Sequence, residues 1–135
     1  MAEPPLARLL LLASRWFDAC TLDELARRGW PRLSPAQSLL FAFLERDGVP
    51  PAELARRLGH TRQAVQDLVD GLVRMDLLEM RSNPARRGGR LVCLTDAGSS
   101  LAGEAYDILT ELELRIGTRR AKTLRRCLGE FEWTR

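Results

Sequence analysis

Arg62, Gln63 and Gln66 crowd one short stretch of the chain, and Arg81, Arg86, Arg87 and Arg90 crowd another around Gly88-Gly89. Glutamine carries a donor and an acceptor side by side, which matches the edge of adenine. Arginine carries a planar fork that matches guanine or phosphate. Guanidinium groups clustered on a short loop repel one another unless water or an anion neutralises them. A phosphate backbone supplies such anions, and a narrow minor groove attracts inserted Arg. The plainer reading is a solvated helix face and a mobile, solvated loop. Asp67, Asp70, Asp76 and Glu79 stand among these residues and oppose anion binding. Asp67 has three readings: it accepts from a cytosine amine, pairs with a neighbouring Arg, or weakens binding.

Enzyme chemistry finds no comparable footing. His60 is the only histidine, and its place between two helical segments suits capping or phosphate contact. There is no Gly-rich phosphate loop, no His-Glu-x-x-His, no Cys-x-x-Cys pair and no nucleophile elbow. Glu111 and Glu113 are two apart on a helix and point to different faces. No catalytic residue, metal ligand set or cofactor is expected. Cys20, Cys93 and Cys127 are too far apart for a metal site or a disulfide framework, which fits a reducing cytoplasm. A thiol sensor needs an exposed, low-pKa thiolate. Cys20 falls on the apolar stripe of the first helix, Cys93 in a strand and Cys127 near the apolar face of the last helix, so burial is expected instead.

The elements that must position these groups follow from periodicity and punctuation. Pro4-Pro5 opens a first helix with Leu6, Leu9, Leu10, Ala13, Phe17 and Cys20 at helical spacing. Leu12 and Trp16 widen that stripe, so the helix needs covering on more than one side. The run Leu9-Leu10-Leu11-Leu12-Ala13 is too short to span a bilayer, and no signal peptide is evident. Ser34, Pro35 and Gln37 form a capping box for a second helix. Its stripe is Leu39, Leu40, Phe43 and Leu44, with Asp47-Gly48 as its stop. Pro50-Pro51 starts a third helix that ends at Gly59, and Thr61 caps a fourth. In the fourth, Ala64, Val65, Leu68, Val69 and Leu72 face inward, and small Ala55 and Ala64 allow a close crossing. Apolar runs at 77–80 and 91–94 flank the Arg-rich segment and predict a β-hairpin with a flexible tip. Thr95 caps a long fifth helix with the stripe Leu101, Ala105, Ile108, Leu109, Leu112 and Ile116. After Gly117, a last helix carries Ala121, Leu124, Leu128 and Phe131.

Helix, helix, turn, helix and basic hairpin is the order of a winged helix-turn-helix. The expected fold is mainly α with a small β-hairpin wing (α+β). It divides into an N-terminal dimerisation helix at 1–32, a DNA-binding unit at 33–95 and C-terminal dimerisation helices at 96–135. The chain has 135 residues, 45% hydrophobic and 29% charged, with a formal net charge of +3. That is a soluble globular composition. The charge is too mild to declare nucleic-acid binding by itself, so its local placement carries the argument. Lys122 is the sole lysine among the basic residues. Base composition of the genome explains that bias as well as function does.

Leu33-Ser34-Pro35-Ala36-Gln37, Glu53-Leu54-Ala55-Arg56-Arg57-Leu58, the helix after Thr61, and Leu91-Val92-Cys93-Leu94-Thr95-Asp96-Ala97-Gly98 behind an Arg-rich wing occur in one order and spacing. Together they resemble the MarR family of bacterial transcriptional regulators, over roughly 33–101. The resemblance implies a homodimer interlaced through its first and last two helices, and a pseudo-palindromic double-stranded operator. Half-sites would lie ~34–36 Å apart. It also implies repression relieved by a small aromatic or anionic effector or by thiol oxidation. Arg62, Gln63 and Gln66 would then read bases. Arg86, Arg87 and Arg90 would hold the wing to DNA, and Ser34, His60 and Thr61 would contact phosphate. Trp16, Cys20, Trp30 and Phe41 are candidates to line an effector pocket. The chain departs from the family pattern at Arg86, where an Asp usually braces the wing, and at Asp67 and Asp76. These departures keep two alternatives open: a winged-helix protein-interaction module that has lost DNA binding, and a thiol-based redox-sensing regulator.

Overall fold

The computed structural model describes residues 2–134. Its first helix, α1 (Leu6–Arg27), starts behind Pro5 and ends before Gly29, whose φ of +96° turns the chain away. Only Thr21, Leu22 and Leu25 of α1 are buried. Its first half leaves Leu6, Leu9, Leu11 and Leu12 exposed.

The second helix, α2 (Pro35–Ala42), has the expected capping box. Ser34 Oγ accepts from the Gln37 amide, and Gln37 Oε1 accepts from the Ser34 amide. The expectation that it runs on to Asp47-Gly48 is corrected: it stops at Ala42. Two long-range contacts explain the stop. Arg57 donates to the Phe43 carbonyl at 3.1 Å. Val49 exchanges both backbone hydrogen bonds with Val92, at 3.0 and 2.8 Å, which demands extended backbone there. Leu39 is likewise exposed rather than inward.

Helices α3 (Pro51–Leu58) and α4 (Arg62–Arg74) form the helix-turn-helix. Gly59, at φ +69°, caps α3 in the left-handed region, and the His60 amide closes onto the Ala55 carbonyl. The Thr61 hydroxyl accepts from the Ala64 amide. Leu54 and Ala55 meet Val65, Val69 and Leu72 in the core. Ala64 is exposed, so only the Ala55 half of the expected close crossing holds. Each fully buried aliphatic side chain here contributes about 1.5–3 kcal/mol.

Strands β1 (Leu78–Ser82) and β2 (Arg90–Leu94) pair antiparallel, with Leu78 opposite Leu94 and Ser82 opposite Arg90. The hairpin thus reaches further towards its tip than the apolar runs suggested, by two residues on β1 and one on β2. Helix α5 (Asp96–Ile116), capped by Thr95, packs along α1, and α6 (Thr118–Glu130) follows. No residue of α6 is buried. Cys127 on it is exposed, a correction to its expected burial, whereas Cys93 is buried and Cys20 half-buried. The arrangement is a winged helix-turn-helix flanked by helices from both ends of the chain.

Candidate nucleic-acid interface

The chemistry starts at the N-terminus of α4. Arg62 and Gln63 are exposed and Gln66 half-buried, all within the first turns. Thr61 spends its hydroxyl oxygen on the helix cap, and Ser34 does the same at α2. Both hydroxyls keep a proton to donate to an anion. His60 is exposed in the turn just before.

The carboxylates of α4 are the surprise. Gln63 Nε2 donates to Asp67 Oδ1 at 2.9 Å, and Gln66 Nε2 donates to Asp70 Oδ1 at 2.8 Å. Of the three readings of Asp67, pairing with a neighbouring Arg is corrected: in the free chain it pairs with a Gln one helical turn away. Each amide nitrogen is thereby held, and each amide oxygen is left to accept. Arg62 has no ion-pair partner among the described residues.

The wing divides its arginines into two kinds. Arg81, on β1, donates to Glu79 and is raised further above its ordinary pKa by that bond. Arg86, Arg87 and Arg90 are exposed and have no ion-pair partner among the described residues. The tip is also more built than a flexible loop. The Asn83 amide donates to the Gly89 carbonyl at 2.9 Å, and Asn83 Oδ1 accepts from the Ala85 amide at 2.9 Å. The Gly89 amide donates back to the Arg86 carbonyl at 3.0 Å, and Gly88 takes φ +73°. Asn83 therefore closes the hairpin with its backbone amide and braces the turn with its side chain, which accepts from the amide two residues on. The signal for it was the Asn-Pro pair that opens the tip.

Behind the interface, Arg57 ties three segments together. It bonds Glu53 at 3.0 Å on its own helix, Glu45 at 2.7 Å, and the Phe43 carbonyl. Hydrogen bonds from Arg56, then from Arg57, lower the Glu53 pKa from 4.5 to about 2. Sequence reading missed this network, because Glu45 and Arg57 are joined only once α2 has stopped early.

Two clefts flank α1. The larger, about 580 Å³, lies between α1, α2 and α5 and is lined by Phe17, Asp18, Phe41, Leu101, Tyr106 and Glu113, among others. The smaller, about 570 Å³, lies between α1 and α5 and holds Cys20 with Arg27, Arg28 and Arg115. Of the four residues expected around one pocket, Phe41 and Cys20 thus line different clefts. Trp16 and Trp30 line neither. Trp16 packs edge-on to Phe17 beneath Arg115, and Trp30 Nε1 donates to Glu104 Oε2 at 2.7 Å.

Residues 33–88 match the model of the MarR family. Solved structures similar to the whole chain share its fold. Reduced MarR from E. coli is 22% identical, with a TM-score of 0.74 over 96% of this chain and 98% of that one. RV1404 from Mycobacterium tuberculosis is 24% identical, with a TM-score of 0.71 over 98% and 100%. A variant of MepR from S. aureus bound to an oligodeoxyribonucleotide is 18% identical, with a TM-score of 0.62 over 95% and 96%. No curated protein matches the chain by sequence search.

Proposed function

We propose that this chain, which matches the MarR family model over 33–88 and shares the fold of MarR, is a homodimeric, sequence-specific repressor of transcription of that family that leaves its operator when an effector binds. The unit at 33–95 grips DNA, and the segments at 1–32 and 96–135 pair the two copies. The carrying observation is the set of wing guanidiniums with no ion-pair partner among the described residues, Arg86, Arg87 and Arg90, next to a capped helix α4 whose outward residues are Arg62, Gln63 and Gln66. Fixed positive charge on a closed hairpin is the form that counterion release rewards. Ser34, His60 and Thr61 supply phosphate contacts at helix starts.

Dimerisation is supported by apolar surface left to water. Leu9, Leu11 and Leu12 on α1 and Tyr106 and Leu114 on α5 are between 48% and 68% exposed. So much apolar side-chain surface left exposed on both helices is what a second copy would cover. The structure determined for a MepR variant with an oligodeoxyribonucleotide agrees with the DNA-binding reading. The larger cleft, between the α1–α5 arm and α2 of the DNA-reading unit, is the effector site in this scheme. No described helix is long and apolar enough to cross a membrane, and action on DNA would require a cytoplasmic protein.

A second reading is favoured by the Gln63–Asp67 and Gln66–Asp70 bonds: a winged-helix module that has turned from DNA to a protein partner. Salt separates the two. Binding of the native chain to a mixed-sequence duplex should fall steeply and log-linearly as salt rises. A flat salt response, or a monomer by sedimentation, would overturn the repressor reading.

A further inference from the structure

We infer that the cleft between α1, α2 and α5 takes an organic cation, with Asp18 as the group that recognises it. The inference deepens the effector reading above and rests on it. The cleft's volume of about 580 Å³ suits a drug-sized molecule. Its charged lining is acidic only: Asp18 and Glu113, with no Arg, Lys or His in the wall. Glu113 is already answered by Arg125 of α6. Asp18 has no cationic partner among the described residues, and its Oδ1 accepts only from the Ser38 hydroxyl, at 3.2 Å.

A half-buried carboxylate against apolar walls is weakly screened, so an incoming cation gains more there than at an open surface. Phe17, Phe41 and Tyr106 line the same space, and aromatic faces attract cations. An anion would meet repulsion from Asp18 and no opposing charge. The anionic effector implied by the family resemblance therefore does not suit this cleft, while its aromatic alternative survives as apolar substituents around a positive centre. The Asp18–Ser38 bond also joins α1 to α2. A cation at Asp18 competes for that bond, and so for the link between the arm and the first helix of the DNA-reading unit.

Tetraphenylphosphonium and tetraphenylborate, ions of nearly equal shape and opposite charge, test this. Each is titrated into the full chain by calorimetry in the absence of DNA. The phosphonium should bind at least tenfold more tightly than the borate. Asp18→Asn, which keeps a partner for Ser38, should weaken the phosphonium at least tenfold with Tm unchanged, and Asp18→Glu should restore most of the binding. If Asp18→Asn fails to fold, the ratio between the two ions on the native chain still decides. No phosphonium binding, equal binding of both ions, or a folded Asp18→Asn with native phosphonium affinity overturns the inference. None of these outcomes touches DNA binding, which the salt titration tests separately.

Discussion

The carbonyl oxygen of Leu77 occupies the space where residue 98 would carry a side chain: a Cβ built on Gly98 falls 2.0 Å from it. Asp76, next to Leu77, holds φ +60°, and its carbonyl accepts from the Thr95 hydroxyl at 2.6 Å. The same Thr95 oxygen accepts from the Gly98 amide to cap α5. The turn that follows α4 and the start of the long α5 helix are thereby clamped together by the Thr95 side chain and by backbone contact. The joint ties the position of α5 to that of the chain leaving α4.

Gly98→Ala should therefore destabilise the protein by about 1–3 kcal/mol, the range for forcing volume into a packed site. The obstacle is backbone, which cannot step aside as a side chain can. Urea denaturation would read it as a lower midpoint at an unchanged slope. A midpoint equal to that of the native chain would show that the joint is loose.

The wing and the recognition helix should fail in different ways. Arg87→Ala should weaken binding to every duplex alike and flatten the salt dependence by about one charge. Gln63→Ala should relax preference at one base pair by roughly 1–3 kcal/mol, leaving the salt slope alone. Titrations of operator and random duplex at several salt concentrations check both. Identical behaviour of the two variants would remove the division of labour.

Asp67→Asn should tighten binding to DNA of any sequence. It deletes a negative charge beside the polyanion and frees Gln63 from a charged acceptor held at 2.9 Å. The isolated pair contributes only about 0.2–0.5 kcal/mol to the helix, so stability should barely change. Weaker DNA binding in this variant would mean that Asp67 itself touches a base.

Acid should loosen the helix-turn-helix through Glu53. Its pKa is about 2 in the folded chain against an ordinary 4.5, because of Arg56 and Arg57. A depressed carboxylate contributes its stability above the unfolded pKa and loses it as pH falls towards the folded one. The contribution is thus full above about pH 4.5 and fades between pH 4.5 and 2. Glu53→Gln should show a shallower loss of thermal stability across that window. An unchanged acid profile would mean that the pairing adds nothing in solution.

Much of this molecule was legible locally. The caps at Ser34, Thr61 and Thr95, the stop at Gly59 and the order of helices and hairpin depend on residues within a turn of one another. Near neighbours in sequence stay near in any fold, so spacing alone reveals them. The wide apolar stripe of α1 likewise announced a helix with more than one face to cover. What the chain could not announce was set by groups far apart in sequence. Val49 finds Val92, and Arg57 finds Phe43, so α2 ends early. Leu77 closes on position 98, which turns an ordinary helix glycine into a joint. Trp30 turns to Glu104 and leaves the larger cleft to Phe17, Phe41 and Tyr106. Even the Gln–Asp pairs on α4, only four residues apart, depended on side-chain rotamers that spacing permits without selecting. Helix periodicity says which side chains share a face; only assembly of the faces decides which of them meet.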